Sequence, residues 1–272
     1  MEFAQSFLAA MGVNEATFTV GALVFARLFA FFAIIPTVSG DFVPGFVRAI
    51  FLLSLVPFAV GAAESAIADP DALAQYTGIY LSAMLVKEVI FGIGVGFVIG
   101  LPLRILALSG DVIDNQRGAA IAESFNPSSG DQSALLGQFL SQVAFAYFIV
   151  NGGFQFLLNV VFASYLVLPV DGMFSLGAIS EDLVYSLLTD FLRLFIVLAM
   201  PIMLAMFIAE MGLALSSRFA QAINVYTLAQ PVKSGVAIVV VFYMLGDIIV
   251  KTHEYMDELG LKLFDVGLLV AP

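Results

Sequence analysis

Residues 109–137 read SGDVIDNQRGAAIAESFNPSSGDQSALLG and form the longest polar interruption in a very apolar chain. Long apolar segments precede and follow this stretch. Its charged residues are Asp111, Asp114, Arg117, Glu123 and Asp131. Polar backbone at membrane depth is tolerated only where protein buries it or water lines it. On the residues alone, two interpretations stay open: a plain solvent loop, or a segment that dips toward a lumen as a gate or plug.

The composition indicates an integral membrane protein. Of the 272 residues, 61% are hydrophobic and 11% are charged, and the mean hydropathy is +1.06. Soluble domains contain about 45–50% apolar and about 25% charged residues. The net charge of −11 argues against nucleic acid as a partner. Because the chain has no cysteine and a single histidine, and shows no catalytic or nucleotide-binding motif, we expect neither an enzyme nor a metal or cofactor site.

Hydropathy predicts an all-α membrane protein with about six long helices or hairpins. The expected segments are 18–38, 45–63, 76–108, 134–170, 183–215 and 232–250, followed by an amphipathic tail. Pro102 and Pro201 are expected to kink their helices, and Pro231 to be the first residue of the last helix. The distribution of Lys and Arg favours six crossings with the N-terminus outside.

Several charged residues lie inside or near the ends of these apolar segments. They are Arg27, Lys87, Glu88, Arg193, Glu210 and Asp247. Charge at the centre of a bilayer is unfavourable, so these residues must pair, extend to the interface or face water. Candidate ion pairs involve Lys87 with Glu88 and Asp114 with Arg117. A proton channel that uses Glu88, Glu210 or Asp247 remains an alternative.

Small residues recur on one face of the third segment. Gly92, Gly96 and Gly100 follow one another every four residues, with Glu88 and Arg104 continuing the row. Rows of this kind let another helix backbone approach closely. The row therefore predicts a packing face, either within the chain or against a partner subunit.

Two motifs resemble a known family. GDVIDNQRG at 110–118, followed by FNP at 125–127, is similar to the central signature of the export-apparatus T proteins of type III secretion systems. QPVKSG at 230–235 is similar to a second recurring motif of that family. The family includes the flagellar biosynthetic R proteins, and the DNQRG form resembles the injectisome branch.

The resemblance implies a pore-forming structural subunit of a protein-export gate in the bacterial inner membrane, partly raised toward the periplasm. The implied partners are several copies of the R and S subunits, a U switch protein, inner rod and needle proteins, and the unfolded polypeptide in transit. It also implies one membrane domain, with an N-terminal helical unit at 1–175 and a C-terminal hairpin unit with its tail at 176–272.

The resemblance also implies residue roles. A loop of this subunit closes the lumen, and the matching positions are Asn115, Gln116, Arg117, Gly118, Phe125, Asn126 and Pro127. The matching cytoplasmic loop toward the switch protein contains Arg218, Gln230, Pro231 and Lys233. With the resemblance, the plug becomes the favoured interpretation of residues 115–127. A secondary transporter of small solutes remains a competing hypothesis, in which the charged positions and the break at Pro201 form the site.

Overall fold

The computed structural model describes residues 14–35, 44–67, 78–118, 135–172, 181–219 and 225–265, and every regular element in these ranges is a helix. We number them α1 (Glu15–Ile34), α2 (Gly45–Glu64), α3 (Ile79–Gln116), α4 (Leu135–Val150), α5 (Gly153–Val167), α6 (Glu181–Ser217) and α7 (Val225–Asp265). Helices suit these sequences because a helix satisfies its own backbone hydrogen bonds where water is excluded.

Five helices, α1, α2, α3, α6 and α7, are long and apolar enough to cross a membrane. The broken pair α4–α5 makes six if it counts as one span. The break is at Asn151-Gly152, where Gly152 has a φ of 79°. This position agrees with the interruption predicted at residues 151–153. The prediction of an all-α membrane protein with about six long helices is confirmed.

Two predicted boundaries are wrong. Helix α3 continues through the first part of the polar stretch and ends at Gln116 instead of residue 108. Helix α7 begins at Val225, so Pro231 lies inside it rather than at its first position, and it continues to Asp265 through the expected tail. In α3 the contacts of Ser109 and Asp114, described below, outweigh the local signals.

The chain forms two compact units, each built from several pieces of the sequence. Unit 1 comprises residues 1–100, 152–180 and 258–272, and unit 2 comprises 101–151 and 181–257. The expected units at 1–175 and 176–272 stay a prediction. In α3 the boundary falls beside Pro102, and in α4–α5 it falls at the Asn151-Gly152 break.

In unit 1, α1 packs on α2, and α2 packs on α5. The centre of α1 is fully buried at Leu23, Leu28, Phe31 and Phe32. The apolar core of unit 2 comes from the second half of α3 and from α4, α6 and α7, with Ile105, Ile113, Leu198, Met206 and Val241 among its buried members. Each unit also contains buried charged residues, and these define the candidate sites.

Candidate functional site: the neck of the polar segment

In unit 2, a buried carboxylate at the end of α3 holds the start of α4. The N–H groups of Leu136 and Gly137 donate to Asp114 Oδ2 at 2.8 and 3.2 Å. Arg117 Nε donates to Asp114 Oδ1 at 2.6 Å, and Asp114 is only 1% exposed. The first N–H groups of a helix have no partner inside the helix and carry partial positive charge, so a carboxylate is a favourable ligand for them.

Glycines allow the same two helices to touch. A Cβ on Gly110 would overlap the backbone of Gly137, and a Cβ on Gly137 would overlap the Asp111 carboxylate. Helices α3 and α4, which precede and follow residues 119–134, are therefore in direct contact. We call this closure the neck, formed by Asp114, Arg117, Gly118, Leu136 and Gly137. Arg117 and Leu136, which lie on either side of residues 119–134, are thus held by the same carboxylate.

The two sequence motifs meet at the neck. Gly118 has a φ of 87°, a conformation that favours glycine, and a Cβ there would overlap the side-chain amide of Gln230. Gln116 Nε2 donates to the Met203 carbonyl at 3.2 Å. The Oε1 atoms of Gln116 and Gln230 are buried, and neither has a hydrogen-bond donor in the part of the chain that the structure describes.

The residues expected in the cytoplasmic loop lie mostly elsewhere. Gln230, Pro231 and Lys233 are in helix α7, which corrects their assignment to a loop. Lys233 is 6% exposed, and its Nζ donates to Glu210 Oε2 at 3.4 Å. Arg218 lies in the exposed turn that follows α6, with its N–H donating to the Leu215 carbonyl at 3.2 Å.

The remaining plug positions divide between the described residues and the rest of the chain. Asn115 is exposed in the last turn of α3, and its carbonyl accepts from the Gly118 N–H at 3.1 Å. Phe125, Asn126 and Pro127 lie outside the described residues. Of the predicted plug positions, the structure therefore describes Asn115, Gln116, Arg117 and Gly118.

Unit 1 contains a different polar site, in which buried charges pair closely. Arg27 Nε donates to Glu88 Oε2 at 2.5 Å, and the two side chains are 1% and 0% exposed. The guanidinium also donates to the carbonyls of Ser164 at 2.9 Å and Leu168 at 2.8 Å. It lies over the rings of Phe91 and Tyr165, 4.8 and 4.4 Å from their centroids. We call Arg27, Lys87 and Glu88 the buried charge cluster.

Lys87 links this cluster to the end of α5. Its Nζ lies 2.8 Å from Glu88 Oε1 and donates to the carbonyls of Val170 at 2.8 Å and Gly172 at 2.9 Å. These carbonyls belong to the turn that follows α5, and backbone carbonyls away from water need a donor, so Lys87 stabilises that turn. The pairing of Lys87 with Glu88 could be expected because the two residues are adjacent in the sequence. The contacts of Lys87 with carbonyls near the end of α5 could not, because a backbone carbonyl is present at every residue and has no signature in the sequence.

The glycine row packs within the chain. A Cβ on Gly92 would come 2.6 Å from the Arg27 carbonyl, and one on Gly96 would come 2.6 Å from the Phe31 carbonyl. Both glycines thus bring α3 against the backbone of α1 and place Glu88 beside Arg27. Gly100, the next member of the row, is buried.

Comparison with known proteins identifies the family of this chain. The family model described as "Bacterial export proteins, family 1" matches residues 18–259. The Yop proteins translocation protein T of Yersinia pestis is 37% identical over 220 residues, which cover 79% of this chain and 81% of that protein. The surface presentation of antigens protein SpaR of Shigella flexneri is 31% identical over 159 residues, covering 58% and 61%.

A flagellar relative matches over a longer range. The flagellar biosynthetic protein FliR of Bacillus subtilis is 27% identical over 250 residues, which cover 87% of this chain and 93% of that protein. These similarities favour a structural export component over an enzyme or a solute transporter. Together with its apolar helices, they show that this multi-pass membrane chain belongs to family 1 of the bacterial export proteins, the type III secretion and flagellar export-apparatus family.

Proposed function

We propose that this chain is a pore-forming subunit of a type III export gate in the bacterial inner membrane, partly raised toward the periplasm. In this role it assembles with R and S subunits and a U switch protein, conducts unfolded polypeptides, and seeds the inner rod and needle. Its relatives by sequence are translocation, surface-presentation and flagellar biosynthetic proteins, and these support the assignment.

Within that role we assign residues 115–127 as the plug of the conduit; they begin at the neck and continue into the segment 119–134. The observation that carries this assignment is the neck, which fixes both ends of the segment with one buried carboxylate. The cluster of polar residues in an otherwise apolar chain agrees with a water-lined position.

The energetics of the neck suit a gate that opens reversibly. Asp114 accepts three hydrogen bonds, and bonds to a charged group are worth about 1.5–3 kcal/mol each when one partner is removed. Such contacts hold the resting state, yet the passage of a polypeptide through the conduit can disrupt them. Apart from Leu136, the apolar core of unit 2 need not change.

The plug is tested by removing residues 119–125 in cells that carry the complete export complex. The expected result is a complex that still assembles but leaks small ions or a membrane-impermeant dye. Assembly is measured by co-purification of the partner subunits, and leakage by dye uptake. A deletion that assembles and stays tight contradicts the plug assignment.

Closing the neck covalently supplies a second test. Asp111 and Gly137 are close enough for a pair of introduced cysteines, and the native chain has none. Under oxidising conditions we expect the Asp111→Cys/Gly137→Cys variant to remain tight, and reduction should not alter its assembly. Export that depends on moving the neck will fall on oxidation and recover with reductant, whereas either single cysteine variant will not respond. Unchanged export despite a complete cross-link excludes opening at the neck.

A further inference from the structure

Helices α6 and α7 of unit 2 carry charged residues at two levels along their length. The two helices share one apolar core, and the contact of Lys233 with Glu210 marks the first level. At the second level Arg193 and Asp247 are exposed, and neither side chain has a hydrogen bond or ion pair with a described residue. At about 1.5 Å per residue, Asp247 lies about 21 Å along α7 from Lys233, and Arg193 lies about 26 Å along α6 from Glu210.

Between these two levels the exposed surface of both helices is uncharged. The hydrocarbon core of a bilayer is about 30 Å thick, and charged side chains at the ends of an apolar band extend to the interface. The band therefore suits the hydrocarbon core, and Arg193 and Asp247 mark one of its edges. Its large exposed side chains are Ile196, Met200, Leu204, Phe207 and Ile208 on α6, and Ile238, Val239, Phe242 and Tyr243 on α7.

Beyond the edge at Asp247, α7 has the pattern of a helix in water. Lys251, Glu254 and Asp257 are exposed, whereas Tyr255 and Met256 are buried. A charged outer face opposite an apolar inner face is typical of a helix at an aqueous surface. The last turns of α7 in unit 2 thus lie outside the hydrocarbon core.

Beyond the edge at Arg193, α6 shows the opposite pattern. Because the two helices run antiparallel from the contact of Lys233 with Glu210, the start of α6 lies at the same end of the hairpin as the end of α7. Four apolar side chains there are between 47% and 73% exposed and follow one face of the helix. We call them the α6 stripe: Val184, Tyr185, Leu188 and Leu192. An apolar patch of this kind beside a water-exposed surface marks an interaction site.

The charges around the α6 stripe indicate what covers it. Glu181 and Asp182 are exposed at its start, and residues 181–192 contain no lysine or arginine. The two carboxylates also suit the positive end of the helix, but their exposure leaves them available to a partner. Complementary charge would come from lysine or arginine beside the partner's apolar residues.

We propose that the α6 stripe is a docking surface for an apolar helix of another subunit of the export complex, which carries lysine or arginine opposite Glu181 and Asp182. The docking surface lies just outside the hydrocarbon core, beyond the level of Arg193. The proposal rests on the proposed assembly with other subunits, but it does not depend on the plug.

The first test measures the reaction of single cysteines with a membrane-impermeant maleimide in open membrane fragments that contain the complete complex. The native chain has no cysteine, so each label reports its own site. Glu254→Cys should react because it faces water, and Val239→Cys should not because it faces lipid. Leu188→Cys should stay unreactive although it lies at the aqueous end of the hairpin. After the complex is dissolved in SDS, all three variants should react.

Two results of this labelling contradict the proposal. If Leu188→Cys reacts as fully as Glu254→Cys in the complex, the α6 stripe is open to water and has no occupant. If Glu254→Cys is unreactive, the end of α7 is not in water, and the apolar stripe beside it needs no protein cover.

The second test identifies the occupant with a photoreactive amino acid at position 188 in the complete complex. We expect a cross-link to another subunit, at a peptide that has lysine or arginine within about one helical turn. Mass spectrometry of the purified complex locates the site. A cross-link to lipid alone, or to residues 173–180 of the same chain, overturns the proposal.

Charge reversal tests the chemistry of the partner. Glu181→Lys/Asp182→Lys should lower the yield of that cross-link about tenfold or more, because like charges then face each other. Glu254→Lys is the control, since Glu254 is exposed on α7 and should leave the yield unchanged. An unchanged yield in the double variant overturns the proposed basic partner.

Co-purification of the partner subunits separates this proposal from the proposed function. If the subunits co-purify while Leu188→Cys stays fully reactive, the docking surface is wrong and the assembly stands. If no subunit co-purifies with the native chain, the proposed function fails and the docking surface fails with it.

Discussion

The buried charge cluster of unit 1 and the neck of unit 2 solve the same physical problem in different ways. Both place a carboxylate almost out of contact with solvent, Glu88 in one and Asp114 in the other. Glu88 pairs with two cations that also donate to backbone carbonyls. Asp114 pairs with one cation and with the first N–H groups of a helix.

The surroundings of the two carboxylates differ more than their partners. The cluster lies between the packed helices α1, α3 and α5, with the rings of Phe91 and Tyr165 against Arg27. The neck adjoins a glycine with positive φ and two glutamine oxygens that lack donors from the described residues. We infer that the buried charge cluster is a fixed structural centre, whereas the contacts that hold the neck can be broken and formed again.

The largest expected effect in this comparison comes from Glu88→Ala. The substitution leaves Arg27 and Lys87 buried without their carboxylate, and breaking a buried pair in this way costs about 3–5 kcal/mol. We expect a sharp loss of this chain from the detergent-extracted complex and a lowered thermal midpoint. Glu258→Ala is the control, since it breaks only a helical i,i+4 pair with Lys262 and leaves Glu258's exposed site hydrated. Equal losses from both variants would show that the cluster is not a structural centre.

The second effect concerns the neck and should separate function from folding. Asp114→Ala removes the acceptor for Arg117 and for the start of α4; the net loss should be about 2–3 kcal/mol, less than the sum of the separate bonds, because the partly exposed Arg117 can be rehydrated. We expect the complex to assemble in reduced amount and to leak. Asp247→Asn is the control, since Asp247 is exposed on α7. Leakage from Glu88→Ala that equals leakage from Asp114→Ala per assembled complex would remove the distinction between the two sites.

The sequence alone predicted the helices better than the sites. Apolar runs of spanning length identify helices with little ambiguity, and the break at Asn151-Gly152 has its own glycine signal. The extent of α3 was not predictable, because Ser109 and Asp114 look like loop residues. In the structure Ser109 Oγ donates to the Ile105 carbonyl at 2.7 Å, and Asp114 finds its partners on α4.

The pairs in the two sites could be predicted only where their residues are close in the sequence. Spacing placed Asp114 near Arg117 and Lys87 beside Glu88, and both pairs form ion pairs. The partnership of Arg27 with Glu88 and the contact of Gly118 with Gln230 have no spacing rule, because each joins two helices whose register only packing defines. Pro231 misled the boundary of α7 because proline favours the first position of a helix, whereas membrane helices also tolerate it in their interior.

The third prediction tests whether close packing of α1 on α3 supports the cluster. Gly92→Ala places a Cβ 2.6 Å from the Arg27 carbonyl, so the two helices must separate. Overpacking of this kind costs about 1–3 kcal/mol. Gly94→Ala is a close control, since nothing lies within 4 Å of its Cβ and an exposed helical glycine gains about 0.5–1 kcal/mol on change to alanine. The thermal midpoint should therefore fall for one variant and hold or rise for the other, while neither variant leaks. A rise for both would show that the helices are not in contact at Gly92.

The smallest expected effect comes from matched carboxylate-to-amide changes at Glu88 and Glu210. Glu210 is 44% exposed and its contact with Lys233 is 3.4 Å, so solvent already screens the pair and Glu210→Gln should cost less than about 1 kcal/mol. Glu88→Gln removes charge from a site with no exposure and should cost several times more. Neither change should abolish a proton flux separable from export, because we assign both residues to packing and not to a relay. Loss of such a proton flux in Glu210→Gln, with export intact, would instead give Glu210 a conducting role. Its partial exposure on α6 would then be part of that role.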